Sequence, residues 1–331
     1  METPRLELGL LLHTAHQVRN DDVRSDLAPV LDTARQAEAL GFAHVWVGDS
    51  SRMERGWPRA DFITSLTAIA MRTERIGIGV IPLSAPLRNP VLLAHELATL
   101  DVLSGGRLLV SVGIGKGGPE GQREFANCGV PYKERGARLT EMLQIMRRLW
   151  TEPSVTFAGR FYQLEDATVF PKPVNRPIPQ SVATGRAEAA LQRAGRYGDG
   201  WFTTACDPDA FVEDHRKVMA YAREAGRDPS EIACTGLYAT FHLEQDGDKA
   251  RAEAPDHMRA YFGSHRNNTT DFFGSPREIA DRLQPFVDEG LTTLVIRFVE
   301  QDLVKQTGLM QEAVARLRPT RTAPALAEGP R

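Results

Sequence analysis

Residues 75–120 carry the clearest signal of the fold in this chain and read RIGIGVIPLSAPLRNPVLLAHELATLDVLSGGRLLVSVGIGKGGPE. Two short apolar runs, Ile76–Ile81 and Leu108–Ile114, flank one helical pattern over Val91–Leu103. The runs are rich in valine, isoleucine, leucine and glycine and barely alternate, which is typical of strands buried on both faces of a parallel sheet. An Asn-Pro pair before the helical pattern and Ser-Gly-Gly after it are good helix ends. The stretch therefore predicts a strand–helix–strand unit with a right-handed crossover.

The same alternation of a buried strand and a helix continues along the chain. The predicted strands are Leu6–Leu12, Ala43–Val47, Ile76–Ile81, Leu108–Ile114, Gln180–Ala183, Gly200–Thr203, Ile232–Leu243 and Leu291–Val299. Eight strands, each followed by a helix, predict a closed (β/α)8 barrel, with an open doubly wound sheet as the rival. The buried strand near the C-terminus favours the barrel, because it would pair with the first strand.

Three stretches interrupt the alternation of strands and helices, and we interpret them as additions to the barrel. An insertion follows Glu120, a small hairpin covers Thr156–Phe161, and Asp246–Thr270 reads as a charged loop insertion with some helix. We expect a single domain over residues 1–317. The Pro/Ala-rich stretch 318–331 is predicted to be a disordered tail.

Length and composition exclude several functional classes. The 331 residues are 42% hydrophobic and 25% charged, which is ordinary for a soluble globular protein. The net charge of −3 gives no basic field for nucleic acid. No apolar run is long enough for a membrane span, and the start lacks signal-peptide features, so we expect a cytoplasmic protein. The three cysteines are far apart and form no metal-binding spacing, so we expect no metal site.

The candidate catalytic residues follow the predicted strands, because active sites of such barrels lie at the C-terminal ends of the strands. His13 follows the first strand, and an imidazole exchanges protons near neutral pH. Lys116 follows the fourth strand and Arg297 ends the last one. The competing interpretations are a structural histidine, a solvated loop lysine and a strand-end salt bridge. Asp49, after the second strand, would bind a cofactor or orient its neighbours.

Two features suggest a bound anion with a planar ring. Ala183-Thr184-Gly185-Arg186 leads from a strand into a helix, so its N–H groups and the helix N-terminus would hold a phosphate. Thr184 and Arg186 would add a hydroxyl and a cation. The glycines at 77–79 and 113–118 would form a flat wall that a ring approaches closely. An N-capped turn and ordinary sheet packing are the alternatives.

Four segments of the chain resemble the bacterial-luciferase-like family of flavin-dependent oxidoreductases. They are AEALGFAHVWVGDS (37–50), the stretch from RTERIGIG to LLVSVGIG (72–115), ALQRAGRYGDGWF (190–202) and GSPREIADRL (274–283). The resemblance implies a barrel with insertions at its mouth, reduced FMN or the deazaflavin F420 bound there, and a homo-oligomer.

The resemblance also implies positions for the cofactor. Its phosphate would lie on the Ala183–Arg186 loop. A bulge, often with a non-prolyl cis peptide, would back the ring, and by position it is Gly79-Val80 here. Gly113 and Gly115 follow or end the fourth strand and would line the same wall.

The sequence departs from the family at two positions. Several F420-using dehydrogenases of this family carry Asp-His after the second strand, with the histidine as acid/base, whereas this chain has Asp49-Ser50. In one sugar-phosphate branch a glutamate follows the glycines of the fourth strand, whereas this chain has Lys116. The exchange reverses the charge beside the expected cofactor.

The sequence favours an FMNH2-dependent monooxygenase that inserts one oxygen atom of O2 into a small organic substrate, with a separate reductase supplying FMNH2. The first alternative is an F420-dependent oxidoreductase that transfers a hydride without O2. The second is a non-catalytic flavin-binding protein. A phosphate-binding barrel lyase or isomerase rests on fold analogy alone.

Overall fold

The structure is a computed structural model that describes residues 6–12, 26–49, 59–204, 207–262 and 271–318. Its strands are β1 Glu7–Leu11, β2 His44–Val47, β3 Gly77–Ser84, β4 Leu108–Gly113, β5 Val155–Ala158, β6 Gln163–Ala167, β7 Gln180–Thr184, β8 Gly200–Thr204, β9 Cys234–Leu243, β10 Phe272–Gly274 and β11 Thr293–Phe298.

Eight of these strands close into a parallel barrel in the order β1-β2-β3-β4-β7-β8-β9-β11. The barrel closes where β1 pairs with β11, with Glu7 beside Thr293, and β8 also pairs with β9. Strands β5 and β6 form the predicted hairpin outside the barrel, and β10 extends the edge of β9. The predicted (β/α)8 barrel is confirmed, and the open sheet is excluded.

The helices fill the connections between the strands. They are α1 Ala28–Ala39, α2 Phe62–Ala70, α3 Pro90–Leu103, α4 Gly118–Asn127, α5 Arg135–Thr151, α6 Glu188–Tyr197, α7 Pro208–Glu224, α8 Gly247–Phe262, α9 Pro276–Asp288 and α10 Leu303–Ala315. Asn89 caps α3 through its side chain, and Ser275 forms the capping box of α9, as the sequence predicts. No described helix has the length and apolarity that a membrane crossing requires.

Two helices occur where the sequence predicts an insertion and a largely irregular loop. Helix α4 begins with a Gly-Pro pair, and its Phe125 ring is buried against Tyr132. Helix α8 buries Ala250, Ala254 and Met258 at helical spacing. This stripe is narrow and built partly of alanine, so the surrounding charged residues obscure its period in the sequence.

Large rings fill the barrel interior, and glycines on neighbouring strands make room for them. His44 lies beside Gly9 and Gly77 in the strand register, and Trp46 lies beside Gly79. A Cβ atom added at Gly79 would overlap the Trp46 ring. The ring that packs against Gly79 is therefore that of Trp46. The prediction was that a cofactor ring would lie there.

The irregularity in β3 lies two residues beyond its predicted place. The register of β3 against β4 shifts between Val80 and Leu83, and the cis peptide bond joins Ile81 to Pro82. Val80 itself is fully buried between the barrel and the helices. The prediction of the bulge at Gly79-Val80 is therefore wrong in position, because the ladder there remains regular.

We predict that Gly79→Ala lowers the free energy of unfolding by about 1–3 kcal/mol, since the added methyl group overpacks the interior against Trp46. Gly308→Ala is the matched control. Gly308 is exposed in α10 with open space around it, so alanine there should stabilise the protein by roughly 0.5–1 kcal/mol. Urea unfolding measures both values, and a Gly79→Ala variant as stable as the parent would contradict the packing described.

Candidate active site

An apolar layer forms the floor of the barrel mouth. Its members are the buried side chains Leu11, Trp46, Ile81, Phe202 and Val295. The rings of Trp46 and Phe202 meet edge to face, with centroids 5.6 Å apart. The indole Nε1 of Trp46 donates to Nδ1 of His44 at 2.9 Å, which fixes the plane of the indole. This floor presents an apolar surface to the space above it, where strand ends supply the polar groups.

Arg297 lies above this floor among aromatic rings. Its Cζ atom is 4.6 Å from the ring centroid of Tyr238 and 5.1 Å from that of Phe262. Burial lowers the pKa of Arg297 well below its usual range, and the charge of Arg59 lowers it further. Within the described part of the chain no carboxylate forms a salt bridge with Arg297, so the strand-end salt bridge is not what holds it.

Arg59 is a residue of the mouth that the sequence reading missed. Its guanidinium packs against Gly48 at the end of β2, where a Cβ atom would collide with it. Burial lowers the pKa of Arg59, while Tyr261 and Asp49 act in the opposite direction. The weak signal in the sequence is a cation just before the N-cap Asp61 of α2, where the helix dipole disfavours positive charge.

Asp49 is held in a structural ion pair. Its two carboxylate oxygens accept from the two terminal nitrogens of Arg88 at 2.7 and 2.9 Å. Its Oδ2 also accepts from the backbone N–H of Ser84 at 2.9 Å. The pair ties the end of β2 to the segment after β3. Of the two predicted roles, the geometry favours orienting neighbours over binding a cofactor, because the carboxylate is fully engaged and 5% exposed.

The residues predicted after β4 lie on the rim. Lys116 is partly exposed and forms an ion pair with Glu120 in the first turn of α4. Gly113 lies close to Pro82, and a Cβ atom there would be 3.0 Å from the Pro82 ring. Gly115 has a φ of +80°, and its Cβ would meet the Phe125 ring at 2.8 Å. Packing therefore explains both glycines, and their predicted contact with a cofactor stays a prediction.

The predicted phosphate loop has its side chains committed elsewhere. The hydroxyl of Thr184 accepts from Nε1 of Trp201 at 2.7 Å inside the core. Arg186 turns towards α7, where it donates to Glu213 at 2.7 Å and to Asp214 at 3.2 Å. Ala183 packs against the apolar floor. The hydroxyl and the cation expected for the anion are thus already paired with other groups.

The backbone of the same loop still fits an anion. The N-cap residue of α6 is Ala187, which has no side-chain acceptor for the first N–H groups of the helix. Gly185 faces open space, since nothing lies within 4 Å of a Cβ atom built on it. Free N–H groups at a helix N-terminus bind phosphate readily. The residues from Gly185 to Glu188 are therefore able to hold the phosphate of a cofactor through their backbone.

Some predictions concern residues outside the described part of the chain. His13, the first catalytic candidate, and Ser50 are among them, as are residues 319–331 of the predicted tail. Their predicted roles stay predictions. The predicted domain extent and homo-oligomer likewise stay predictions.

A large cleft lies at the opposite end of the barrel. It has a volume of about 1760 Å³ and is lined by N-terminal strand residues that include Glu7, His44 and Cys234. The Arg147–Asp199 ion pair crosses its wall. In barrels of this type the N-terminal end contributes to stability and the C-terminal end carries the chemistry. The mouth above Trp46 is therefore the better candidate for the active site.

Several ligand-type side chains also meet around the buried His242, beside the end of β9. Ligating atoms of His242, Glu253 and His257 lie within 4.8 Å of one another, as do those of His242, Glu244 and Glu300. Ammonium groups already compensate these carboxylates. Lys305 pairs with Glu244 and Glu300, and Lys249 lies 3.8 Å from Glu253. The cluster is a salt-bridge network, and the expectation that the protein has no metal site stays a prediction.

Comparison with known proteins identifies the family. A family model described as luciferase-like monooxygenase matches residues 6–318. The chain belongs to this family. This luciferase-like protein is 31% identical to an F420-dependent glucose-6-phosphate dehydrogenase of Kineococcus radiotolerans over 87% of its own length and 92% of the relative. It is 33% identical to the enzyme of the same name from Amycolatopsis mediterranei, over 70% of its own length and 68% of the relative.

Solved structures confirm the fold of the luciferase-like protein. An F420-dependent secondary alcohol dehydrogenase in complex with an F420–acetone adduct superposes with a TM-score of 0.76 and 22% identity, over 95% of this chain and 99% of that one. A monooxygenase from Streptomyces bottropensis gives a TM-score of 0.77 and 24% identity, over 94% and 99%. The luciferase-like protein is an enzyme, an oxidoreductase of the flavin-dependent class.

We predict that Asp49→Asn lowers the free energy of unfolding by roughly 2–3 kcal/mol, because Arg88 loses the charge that both of its terminal nitrogens contact. Glu152→Gln is the control, since its ion pair with Arg148 is exposed and should cost less than about 1 kcal/mol. Urea unfolding compares the two variants. Equal losses would mean that Asp49 does not hold β2 to the segment after β3.

Proposed function

We propose that this protein is an F420-dependent oxidoreductase that transfers a hydride between the deazaflavin and a small organic substrate. The observation that carries the proposal is the similarity, over 87% of the chain, to an enzyme whose name specifies F420. The FMNH2-dependent monooxygenase with a separate reductase, which the sequence analysis favours, has less support than the F420-dependent enzyme. Several curated relatives are named as F420-dependent enzymes, and the similarity to a solved monooxygenase, at 24% identity, concerns the fold alone.

The described residues fit the proposed cofactor. The open N-terminus of α6 would hold its phosphate through backbone N–H groups. The apolar floor around Trp46 and Phe202 would lie beneath the ring and keep water from it. When bound, F420 supplies the carbon centre that accepts or donates the hydride. The non-catalytic alternative is disfavoured, since the relatives are named as dehydrogenases.

The protein must also handle the proton that accompanies hydride transfer at an oxygen-bearing carbon. Asp49 is poorly placed to take this proton, because Arg88 contacts both of its carboxylate oxygens and the Ser84 N–H donates to Oδ2 as well. Lys116 is neutralised by Glu120 on the rim. His13, which directly follows the strand segment ending at Leu12, therefore remains our candidate for holding the proton. This assignment would differ from the Asp-His pair of several F420 dehydrogenases.

The first test is anaerobic titration of the purified protein with reduced F420 and, separately, with reduced FMN, followed by fluorescence. We expect saturable binding of reduced F420 and at least tenfold weaker binding of reduced FMN, corresponding to about 1.4 kcal/mol. Tighter binding of reduced FMN than of reduced F420 would contradict the proposal and favour the FMNH2-dependent monooxygenase.

We predict that Gly185→Asp weakens F420 binding at least tenfold, because a carboxylate would then face the cofactor phosphate at the N-terminus of α6. The new side chain has room, so folding should be unaffected. Gly308→Asp introduces the same charge on the exposed face of α10 and should leave the affinity unchanged. If the Gly185→Asp variant bound F420 as tightly as the parent, the cofactor phosphate would not lie on this loop.

A further inference from the structure

Arg59 and Arg297 place two positive charges at the mouth of the barrel, one against Gly48 after β2 and the other near the end of β11. The charge of Arg59 contributes to the lowered pKa of Arg297, after burial as the main cause. The Nε atoms of both guanidinium groups are buried and have no hydrogen-bond partner in the described structure. Enclosing two like charges in this way destabilises a fold unless a counter-charge is supplied.

Among the described residues, the groups around this pair do not supply that counter-charge. Arg297 contacts aromatic rings and, at 3.5 Å, the hydroxyl of Thr240. Arg59 lies against Gly48, and the carboxylate that acts on its charge is Asp49. Arg88 already occupies both oxygens of Asp49. In the part of the chain that is described, the pair therefore carries an excess positive charge towards the mouth.

The position of the pair separates it from the phosphate loop. Arg59 packs on the end of β2 and Arg297 is the next-to-last residue of β11, and these are the two strands that flank β1. The loop into α6 follows β7, which is four strands away from β1 in either direction around the barrel. The arginine pair and the α6 N-terminus thus lie on opposite walls of the mouth. A cofactor phosphate on the α6 wall would leave the arginine pair available for another anion.

We infer that Arg59 and Arg297 bind the carboxylate or phosphate of the organic substrate, so that the enzyme acts on an anion; the inference rests on the proposed function. A guanidinium offers two parallel N–H groups that match either oxyanion. The rings of Tyr238 and Phe262 beside Arg297 would contact the apolar body of the same molecule. The apolar floor would support the substrate from below, next to the cofactor ring.

The experiment is isothermal titration calorimetry with benzoate and phenyl phosphate as anionic probes and benzamide as the neutral match of benzoate. We expect at least one anion to bind the parent protein and benzamide to bind at least tenfold more weakly. Arg59→Gln and Arg297→Gln should each weaken anion binding at least tenfold. Arg75→Gln is the control, since Arg75 is exposed and pairs with Glu74, and it should leave the affinity unchanged.

A stability measurement separates ligand binding from a merely structural role. If the pair exists for a ligand, Arg297→Gln removes an uncompensated charge, and its midpoint of urea unfolding should equal or exceed that of the parent. A structural arginine would instead lower the midpoint when replaced. A lowered midpoint together with unchanged anion affinity would overturn the inference.

A parallel titration with reduced F420 shows whether the two arginines bind the cofactor or the substrate anion. We expect both glutamine variants to retain the parent affinity for reduced F420 within twofold. If they lose F420 binding while neither anion binds the parent protein, the arginines hold the cofactor, and the inference fails although the proposed function stands. If the anions bind through the arginines but reduced F420 does not bind the parent, the proposed function fails and the anion site remains.

Discussion

Large rings pack against glycines inside the barrel, and this packing holds the strands in their observed register. A parallel barrel of eight strands has an interior that side chains must fill, and here His44, Trp46 and Phe202 do so. Each ring lies beside a glycine of an adjacent strand, because any Cβ atom there would collide with it. Two of these rings, Trp46 and Phe202, also form the floor of the candidate site.

Charge at the mouth is arranged unevenly around this floor. Asp49 is a buried carboxylate at the strand ends, and Arg88 neutralises it while joining β2 to the segment after β3. The buried Nε atoms of Arg59 and Arg297 have no hydrogen-bond partner in the described structure. On the opposite wall, the uncapped start of α6 offers backbone N–H groups. The mouth is thus prepared for negative groups on both sides, which suits an anionic cofactor facing an anionic substrate.

The comparisons and the geometry constrain different parts of the function. Family membership establishes the oxidoreductase class, and the names of the curated relatives favour F420. The fold does not choose the cofactor, because an F420-dependent dehydrogenase and a monooxygenase superpose equally well on it. Ser50 and Lys116 stand where some F420 dehydrogenases carry a histidine and a glutamate. The family resemblance therefore does not specify the proton-transfer route or the substrate of this protein.

The eight barrel strands and most of the helices could be predicted from the sequence, since periodicity, helix caps and strand-ending glycines are local signals that need no partner. Helices α4 and α8 could not, because their apolar stripes are short or built partly of alanine. The sequence also located Arg297 at the mouth. The partners of the predicted site residues are visible only in the folded protein. Asp49 pairs with Arg88, Thr184 with Trp201 and Arg186 with α7, and Gly79 makes room for Trp46. The fold alone places Arg59 at the mouth with Arg297, because a side chain's partners lie on strands and helices far away in the sequence.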